Sequence, residues 1–304
     1  MRAVLITGAA GFLGQHIGNH FGAEGWKILA TDKEFPKYIK FSGWELFPLA
    51  LPSRELEGIL TEKKPDVLVH CAGKSSVAES IQNPKADYDS QVGVTQALLQ
   101  AVENKINLKR FVYLSSAAVY GNPPTLPVDE NSALAPISPY GKHKSLAEAL
   151  CREAFTRRRI PTVIARIFSA YGPGLKRQVI WETCRQAVCK QNIVLEGTGK
   201  ETRDFIHAAD VAQAIYLLST KSETVGKNFN IALGLENSIE KMANLVRKKC
   251  RRDSAKFMGR QRPGDPERWV ANIESLKALG FSAKFDLEAG LENTLAWVRE
   301  IPCD

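Results

Sequence analysis

The segment LITGAAGFLG, Leu5 to Gly14, constrains this chain more than any other. It places Gly8, Gly11 and Gly14 at a GxxGxxG spacing directly after the apolar run at 3–7. Glycines there permit a tight turn and a close backbone approach. The helix predicted to follow offers free N–H groups and the positive end of its dipole to an anion. The next apolar run, at 27–32, ends on Asp32, where a carboxylate can accept bonds from ribose hydroxyls. The unit therefore reads as a dinucleotide site. Asp32 would repel a 2′-phosphate and so favours NAD, while the adjacent Lys33 leaves NADP open.

The same alternation continues through the first half. Apolar runs at 67–72, 110–116 and 161–166 read as buried strands, and 11–23, 54–63 and 85–104 read as helices. This predicts an α/β fold: a Rossmann-type, doubly wound parallel sheet with a smaller C-terminal substrate-binding lobe. The pattern breaks after Phe168 at the turn cluster YGPG (171–174). A helix near 178–190, a strand at 192–197, a helix at 207–219 and a strand at 227–232 follow. The dinucleotide-binding domain is assigned to 1–168 with about 203–232, and the lobe to about 169–202 and 233–304.

Composition narrows the function. The 304 residues carry a net charge of +8. No apolar run reaches the roughly 18 residues of a membrane span, and the N-terminus lacks signal-peptide order, which predicts a cytoplasmic protein without membrane insertion. Six cysteines show no CxxC pair and five histidines show no ligand spacing. Reduced thiols and no metal are the expectation. The basic residues are scattered, densest at 157–159 and 247–252, and lack the aromatic interleaving of single-strand binders. Nucleic acid is not an expected partner.

SPYGKHK, Ser138 to Lys144, carries the chemistry. Ser138 suits an N-cap and Pro139 a first helical turn. Leu146, Leu150 and Ala154 predict the apolar stripe of that helix. Tyr140 and Lys144 are one turn apart on one face. Phenol is a poor base at neutral pH, and a neighbouring ammonium favours its ionised form. Ser116, at the end of the strand YLSS, lies at the edge of the sheet where ligands bind. Tyr140 could then exchange a proton with a hydroxyl held by Ser116 while hydride leaves or returns to the same carbon.

These residues, read together, resemble the extended short-chain dehydrogenase/reductases of the NAD-dependent sugar-nucleotide epimerase/dehydratase branch. The motifs are TGAAGFLG (7–14), HCAGKSSVAES (70–80), YLSSAAVYG (113–121), SPYGKHK (138–144), RIFSAYGPG (166–174), TRDFIHAADVA (202–212) and RPGDP (262–266). The resemblance implies Ser116, Tyr140 and Lys144 as catalytic residues. It implies a cofactor set of Gly8, Gly11, Phe12, Leu13, Gly14, Asp32, Lys33, Cys71, Ala72, Gly73, Gln91, Tyr140, Lys144 and Phe168. Ser75, Ser116, Ser169, Gln178, Arg203 and Arg262 are implied to hold a nucleotide-diphosphate sugar, the arginines through the diphosphate. It also implies a homodimer paired through the helices at about 85–104 and 140–158. The chain departs from the family in three places: LFPLALP (46–52) has no acid, and Gln91 and Ser169 stand where relatives carry Asn.

Family dehydratases carry an acidic pair after the catalytic hydroxyl. Here those positions are Ala117 and Ala118, which leaves elimination without an acid or base. Hydride transfer at a sugar carbon, C4 above all, remains, and HCAGKSSVAES followed by QNP and YDSQVGVT resembles the 4-epimerases, which implies a 4-epimerase in sugar-nucleotide or cell-surface polysaccharide metabolism, oxidising and re-reducing sugar C4. A 4-ketosugar reductase using NAD(P)H is the alternative. A nucleic-acid-binding or redox-sensing relative without activity is a third reading, opposed by the retention of Tyr140 and Lys144.

Overall fold

The computed structural model describes residues 1–37, 39–103, 108–259, 264 and 266–303. Strand β1 (Ala3–Thr7), helix α1 (Phe12–Ala23), strands β2 (Lys27–Asp32) and β3 (Trp44–Pro48), helix α2 (Glu55–Lys63) and strand β4 (Val67–His70) open the chain. Short helices α3 (Val77–Gln82) and α4 (Pro84–Tyr88) lead through a π turn at Asp89–Gly93 into α5 (Val94–Val102). Strand β5 (Arg110–Ser116), helix α6 (Pro139–Arg158) and strand β6 (Thr162–Ile167) follow. Then come β7 (Ser169–Tyr171), α7 (Gln178–Cys189), β8 (Ile193–Leu195), β9 (Thr202–Arg203), β10 (Phe205–His207), α8 (Ala208–Thr220) and β11 (Asn228–Ile231). The chain ends with β12 (Asn237–Ser238), α9 (Ile239–Lys249), β13 (Ala255–Phe257), α10 (Glu274–Lys277) and α11 (Leu287–Arg299).

Seven strands form one parallel sheet in the order β11-β6-β5-β4-β1-β2-β3. Successive side chains on a strand point to opposite faces, and both faces here are buried. Val4, Ile6, Val67, Val69 and Val112 face a core shared with α1 and α8. Leu5, Leu29, Leu68, Phe111 and Tyr113 face a second core shared with α2, α5 and α6. A third core joins α7, α9 and α11 in the lobe. The strand order reverses between β1 and β4, which opens a crevice at their carboxyl ends.

Helix α6 buries charge as well as apolar surface. Glu148 and Arg166 are both inaccessible, and two bonds of 3.0 and 2.8 Å join them. Ser115 donates to Glu148 at 2.6 Å, and Arg166 also donates to the Tyr120 hydroxyl at 2.8 Å. Tyr120 in turn donates to Asn230 at 2.7 Å. The network links α6, β5, β6 and β11. Burial opposes the Glu148 charge, but the Arg166 bonds and charge prevail and hold its carboxyl below the ordinary 4.5. This contribution to stability is present above that ordinary value and is lost as pH falls through the folded-state value.

The structure corrects several readings. Strand β3 was not among the strands anticipated, because WELFP is half-exposed and lacks an apolar run. The helix expected over 85–104 is interrupted by the π turn. The strand at 192–197 is the short β8, which pairs with β13 in the lobe. The inward face of α6 is Tyr140, Gly141, Lys144, Ala147, Glu148, Cys151 and Ala154, while Leu146 is 49% exposed. The Glu148–Arg166 pair sets that rotation. The thiols are not all reduced: Cys189 at the end of α7 is disulfide-bonded to Cys303. Arg185 supports the tie by donating to the carbonyls of Ile301 and Pro302. A separation of 114 residues left no spacing signal for this bond.

Two outcomes follow. Non-reducing peptide mapping yields a Cys189–Cys303 cross-linked peptide, and separate 189 and 303 peptides would contradict the assignment. Arg166→Met leaves the buried Glu148 carboxylate with Ser115 and the half-exposed Arg152 and lowers unfolding stability in urea at pH 7 by up to about 3–5 kcal/mol. The Glu148→Met/Arg166→Met double variant recovers part of that loss.

Candidate active site

A cavity of about 1150 Å³ runs from the carboxyl ends of β1, β4 and β5 into the lobe. Gly8, Gly11, Phe12, Leu13, Gly14, Asp32, Lys33, Cys71, Ala72, Gly73, Ser75, Ser116, Tyr140, Lys144, Phe168, Ser169, Gln178 and Arg203 line it. Gln91 does not, and Arg262 lies outside the described residues. Among the described residues, no group of three His, Cys, Asp or Glu side chains could hold a metal ion.

The first end of the cavity is built of backbone. Gly8 has φ +67°, and a Cβ there would sit 2.7 Å from the Ala72 nitrogen. A Cβ on Gly14 would collide with the Gly8 carbonyl oxygen. Gly11 caps α1 without a side-chain bond, and the first turn has no acidic residue. The amides of that turn therefore remain available to an anion. Asp32 accepts from the Ala10 and Lys33 nitrogens at 3.0 and 2.8 Å, which fixes its carboxylate at the end of β2. A glycine cradle, an open helix start and an oriented carboxylate fit a dinucleotide such as NAD.

A buried chain of hydrogen bonds beneath this cradle was not anticipated. The Ala72 nitrogen donates to the Thr7 hydroxyl at 3.3 Å, and Thr95 donates to the Gln91 carbonyl at 2.5 Å. His70 bridges the two hydroxyls, Nδ1 to Thr7 at 2.9 Å and Nε2 to Thr95 at 3.0 Å. Each hydroxyl has one proton, so Nδ1 accepts from Thr7 and Nε2 donates to Thr95. His70 is thereby a fixed neutral tautomer. Burial, aided by the Lys144 charge, pushes its pKa down to about 3. Gln91 sits at the end of this chain in the π turn. Its amide nitrogen donates to the Lys74 carbonyl, and its Oε1 is buried without a partner among the described residues. Gln91 thus supports the Gly73 turn from behind.

The middle of the cavity holds the hydroxyls. Ser138 caps α6 by accepting from the Gly141 nitrogen at 3.2 Å, and Ser80 accepts from the Tyr140 nitrogen at 3.1 Å. His143 and the buried Asp87 meet at 2.6 Å, tying α6 to α4. Tyr140 and Lys144 share the inward face. Burial pushes the Tyr140 phenol up to about 12, the Ser116 hydroxyl and Arg177 pulling it down and Asp87 adding to the rise. The downward pull expected from Lys144 is not among these influences. Its ammonium donates to the Leu114 carbonyl at 2.7 Å and lies 5.9 Å from the Tyr140 ring centre. Burial lowers Lys144 itself to about 8. Cys71 beside it stays a neutral thiol, pushed up by burial.

The far end belongs to the lobe. Arg203 donates to the Thr202 and Pro266 carbonyls at 2.9 and 2.8 Å and lies 5.7 Å from the Trp269 ring centre. Trp269 is fixed by donating to the Gly121 carbonyl at 2.9 Å. Gln178 opens α7 with φ +68°, a left-handed conformation unusual for a side-chain-bearing residue. Arg177, just before it, reaches across the cavity and donates to the Ser75 hydroxyl. Neither Arg177 nor Trp269 was anticipated. A basic residue after YGPG was the only available signal for the first, and nothing in the spacing marked the second.

The chain is similar to known proteins over nearly its whole length. The family model described as NAD dependent epimerase/dehydratase family matches residues 4–232. A putative UDP-glucose 4-epimerase of Methanocaldococcus jannaschii is 28% identical over 97% of this chain and 98% of its own. UDP-glucose 4-epimerase of Rhizobium meliloti is 27% identical over 97% and 96%. UDP-glucuronic acid 4-epimerase of Bacillus cereus, solved with UDP-glucuronic acid and NAD, superposes with a TM-score of 0.89. It is 26% identical and covers 98% of this chain and 99% of its own. With the glycine cradle, the Ser116–Tyr140–Lys144 set and matches across nearly its whole length, the chain belongs to the NAD-dependent epimerase/dehydratase family.

Proposed function

We propose that this protein is an NAD-dependent nucleotide-sugar 4-epimerase. The observation that carries the reading is the position of Ser116 and Tyr140, midway along one cavity that joins a dinucleotide cradle to a lobe containing Arg203. Held by the Gly8–Gly14 turn and Asp32, NAD would supply a reversible hydride acceptor for sugar C4. The chain's own residues do the rest. Ser116 holds the C4 oxygen beside the phenol. Tyr140 takes the hydroxyl proton as hydride leaves and gives it back as hydride returns. Lys144 is anchored to the Leu114 carbonyl, one turn from Tyr140 on the inward face of α6. Arg203 faces the diphosphate, and Arg262 is assigned the same role from its motif. Ala117 and Ala118 follow Ser116 with only methyl groups, so this segment offers nothing to remove a C5 proton. That favours epimerisation over dehydration.

The same reading includes a homodimer. Tyr88 on α4 and Leu146 on α6 are 43% and 49% exposed, apolar side chains on the two helices that the pairing would use. Light scattering is expected to give twice the monomer mass.

The activity is tested with a panel of nucleotide-diphosphate sugars, assayed without added cofactor. Interconversion at C4 without net redox is expected. Stoichiometric consumption of added NAD(P)H with a 4-ketosugar would instead identify a reductase. Tyr140→Phe is expected to lower kcat by roughly 10²- to 10⁴-fold, the span of general acid–base catalysis. Ultraviolet titration of wild type against Tyr140→Phe isolates one phenol. It is expected to ionise near pH 12 in the cofactor-stripped protein and at lower pH after NAD is added. No movement on adding NAD would contradict the assignment.

A further inference from the structure

Helix α7 connects the cavity to a covalent bond at its other end. Trp181, Arg185 and Cys189 recur at every fourth residue, so they form one stripe along the helix. Eight residues of helix make that stripe about 12 Å long. Trp181, at its first end, lines the lobe side of the cavity. Cys189, at its last end, is bonded to Cys303. Between them the Arg185 guanidinium lies 6.0 Å from the Trp181 ring centre and donates to the Ile301 and Pro302 carbonyls. Trp181 also rests against Trp297 of α11, with ring centres 5.3 Å apart. A continuous line of contacts therefore runs from the disulfide through the tail carbonyls and Arg185 to a wall of the cavity.

The bond is placed where a thiol can reach it. Pro302 and Cys303 are exposed and Cys189 is half-buried, whereas Cys151 and Cys184 are buried and burial pushes their thiols up. A thiolate of an external dithiol attacks the Cys303 sulfur, the Cys189–Cys303 bond breaks, and Cys189 leaves as thiolate. The second thiol of the reagent then displaces Cys303. The protein gains two electrons and two protons as two thiols, and the dithiol leaves as its own disulfide. The freed tail no longer holds two carbonyls against Arg185, and the support of Trp181 loosens with it. We propose that the Cys189–Cys303 disulfide is a redox switch on the substrate lobe, the oxidised form binding the nucleotide-diphosphate sugar more tightly than the dithiol form.

The inference rests on the reading of the lobe as a nucleotide-sugar site, and the experiment separates the two. NAD-loaded protein is equilibrated in buffers of differing reduced to oxidised dithiothreitol ratio and titrated with UDP-glucose by calorimetry. Inversion at C4 is followed in parallel. Full reduction is expected to weaken UDP-glucose binding by about 5-fold or more, the lower end of ordinary coupling between sites. Linkage requires the reverse effect: saturating UDP-glucose moves the dithiothreitol ratio at half-reduction by the same factor. Cys303→Ser is expected to bind as reduced wild type does and to ignore the dithiol. Arg185→Leu is expected to form the disulfide yet bring the oxidised-to-reduced affinity ratio toward 1, which a merely stabilising cross-link would not do. Equal affinity of the two wild-type states would overturn the proposal, as would a dithiol response that survives in Cys303→Ser. Inversion at C4 with no redox dependence of binding would overturn the proposal alone. Redox-dependent binding without inversion would sustain it while contradicting the 4-epimerase reading, and failure of UDP-glucose to bind in either state would contradict both.

Discussion

The buried pair Glu148–Arg166 fixes how α6 is rotated, and the site depends on that rotation. Glu148 lies one turn beyond Lys144, which lies one turn beyond Tyr140. An inward Glu148 therefore draws the other two inward with it. Two ions inside a protein are costly unless each is bonded, and here Ser115, Arg152, Tyr120 and the Glu130 carbonyl supply the remaining bonds. The same network reaches β11 through Asn230, so the helix is referenced to three strands of the sheet. Its outward face is left with Leu146, which is 49% exposed.

A second buried network positions the cofactor end. The directional chain from Ala72 through Thr7, His70 and Thr95 to Gln91 connects β1, β4 and α5 beneath the glycine turn. It requires a neutral histidine, and burial supplies one. Between them, the cavity is lined by hydroxyls such as Ser75, Ser116 and Tyr140, with Lys33, Lys74, Lys144, Arg177 and Arg203 as cations and Asp32 and Glu201 among its carboxylates. That combination suits an anionic, polyhydroxylated ligand lying along a nicotinamide.

Local physics made part of this legible in the sequence. Strand–turn–helix at Leu5–Gly14 and the acid at Asp32 are encoded by neighbouring residues, and the parallel sheet follows from repeated alternation. Tyr140 and Lys144 could be placed on one face because a helical turn is fixed geometry. Their contacts could not be read, since the Leu114 carbonyl that anchors Lys144 is 30 residues away. The α6 stripe was misread because Leu146 is apolar yet turned outward by a buried charge pair. Strand β3 escaped because its edge position leaves it half-exposed. The Cys189–Cys303 bond and the reach of Arg177 to Ser75 join residues more than 100 apart, where periodicity carries no information.

The central claim is that one carbon loses a hydride and receives the same one back within a closed site. A UDP-sugar carrying deuterium at C4 tests this directly. The account predicts that the epimer retains the label at C4, with slowed turnover and no exchange with solvent. Loss of the label to water, or solvent hydrogen entering at C3 or C5, would contradict it.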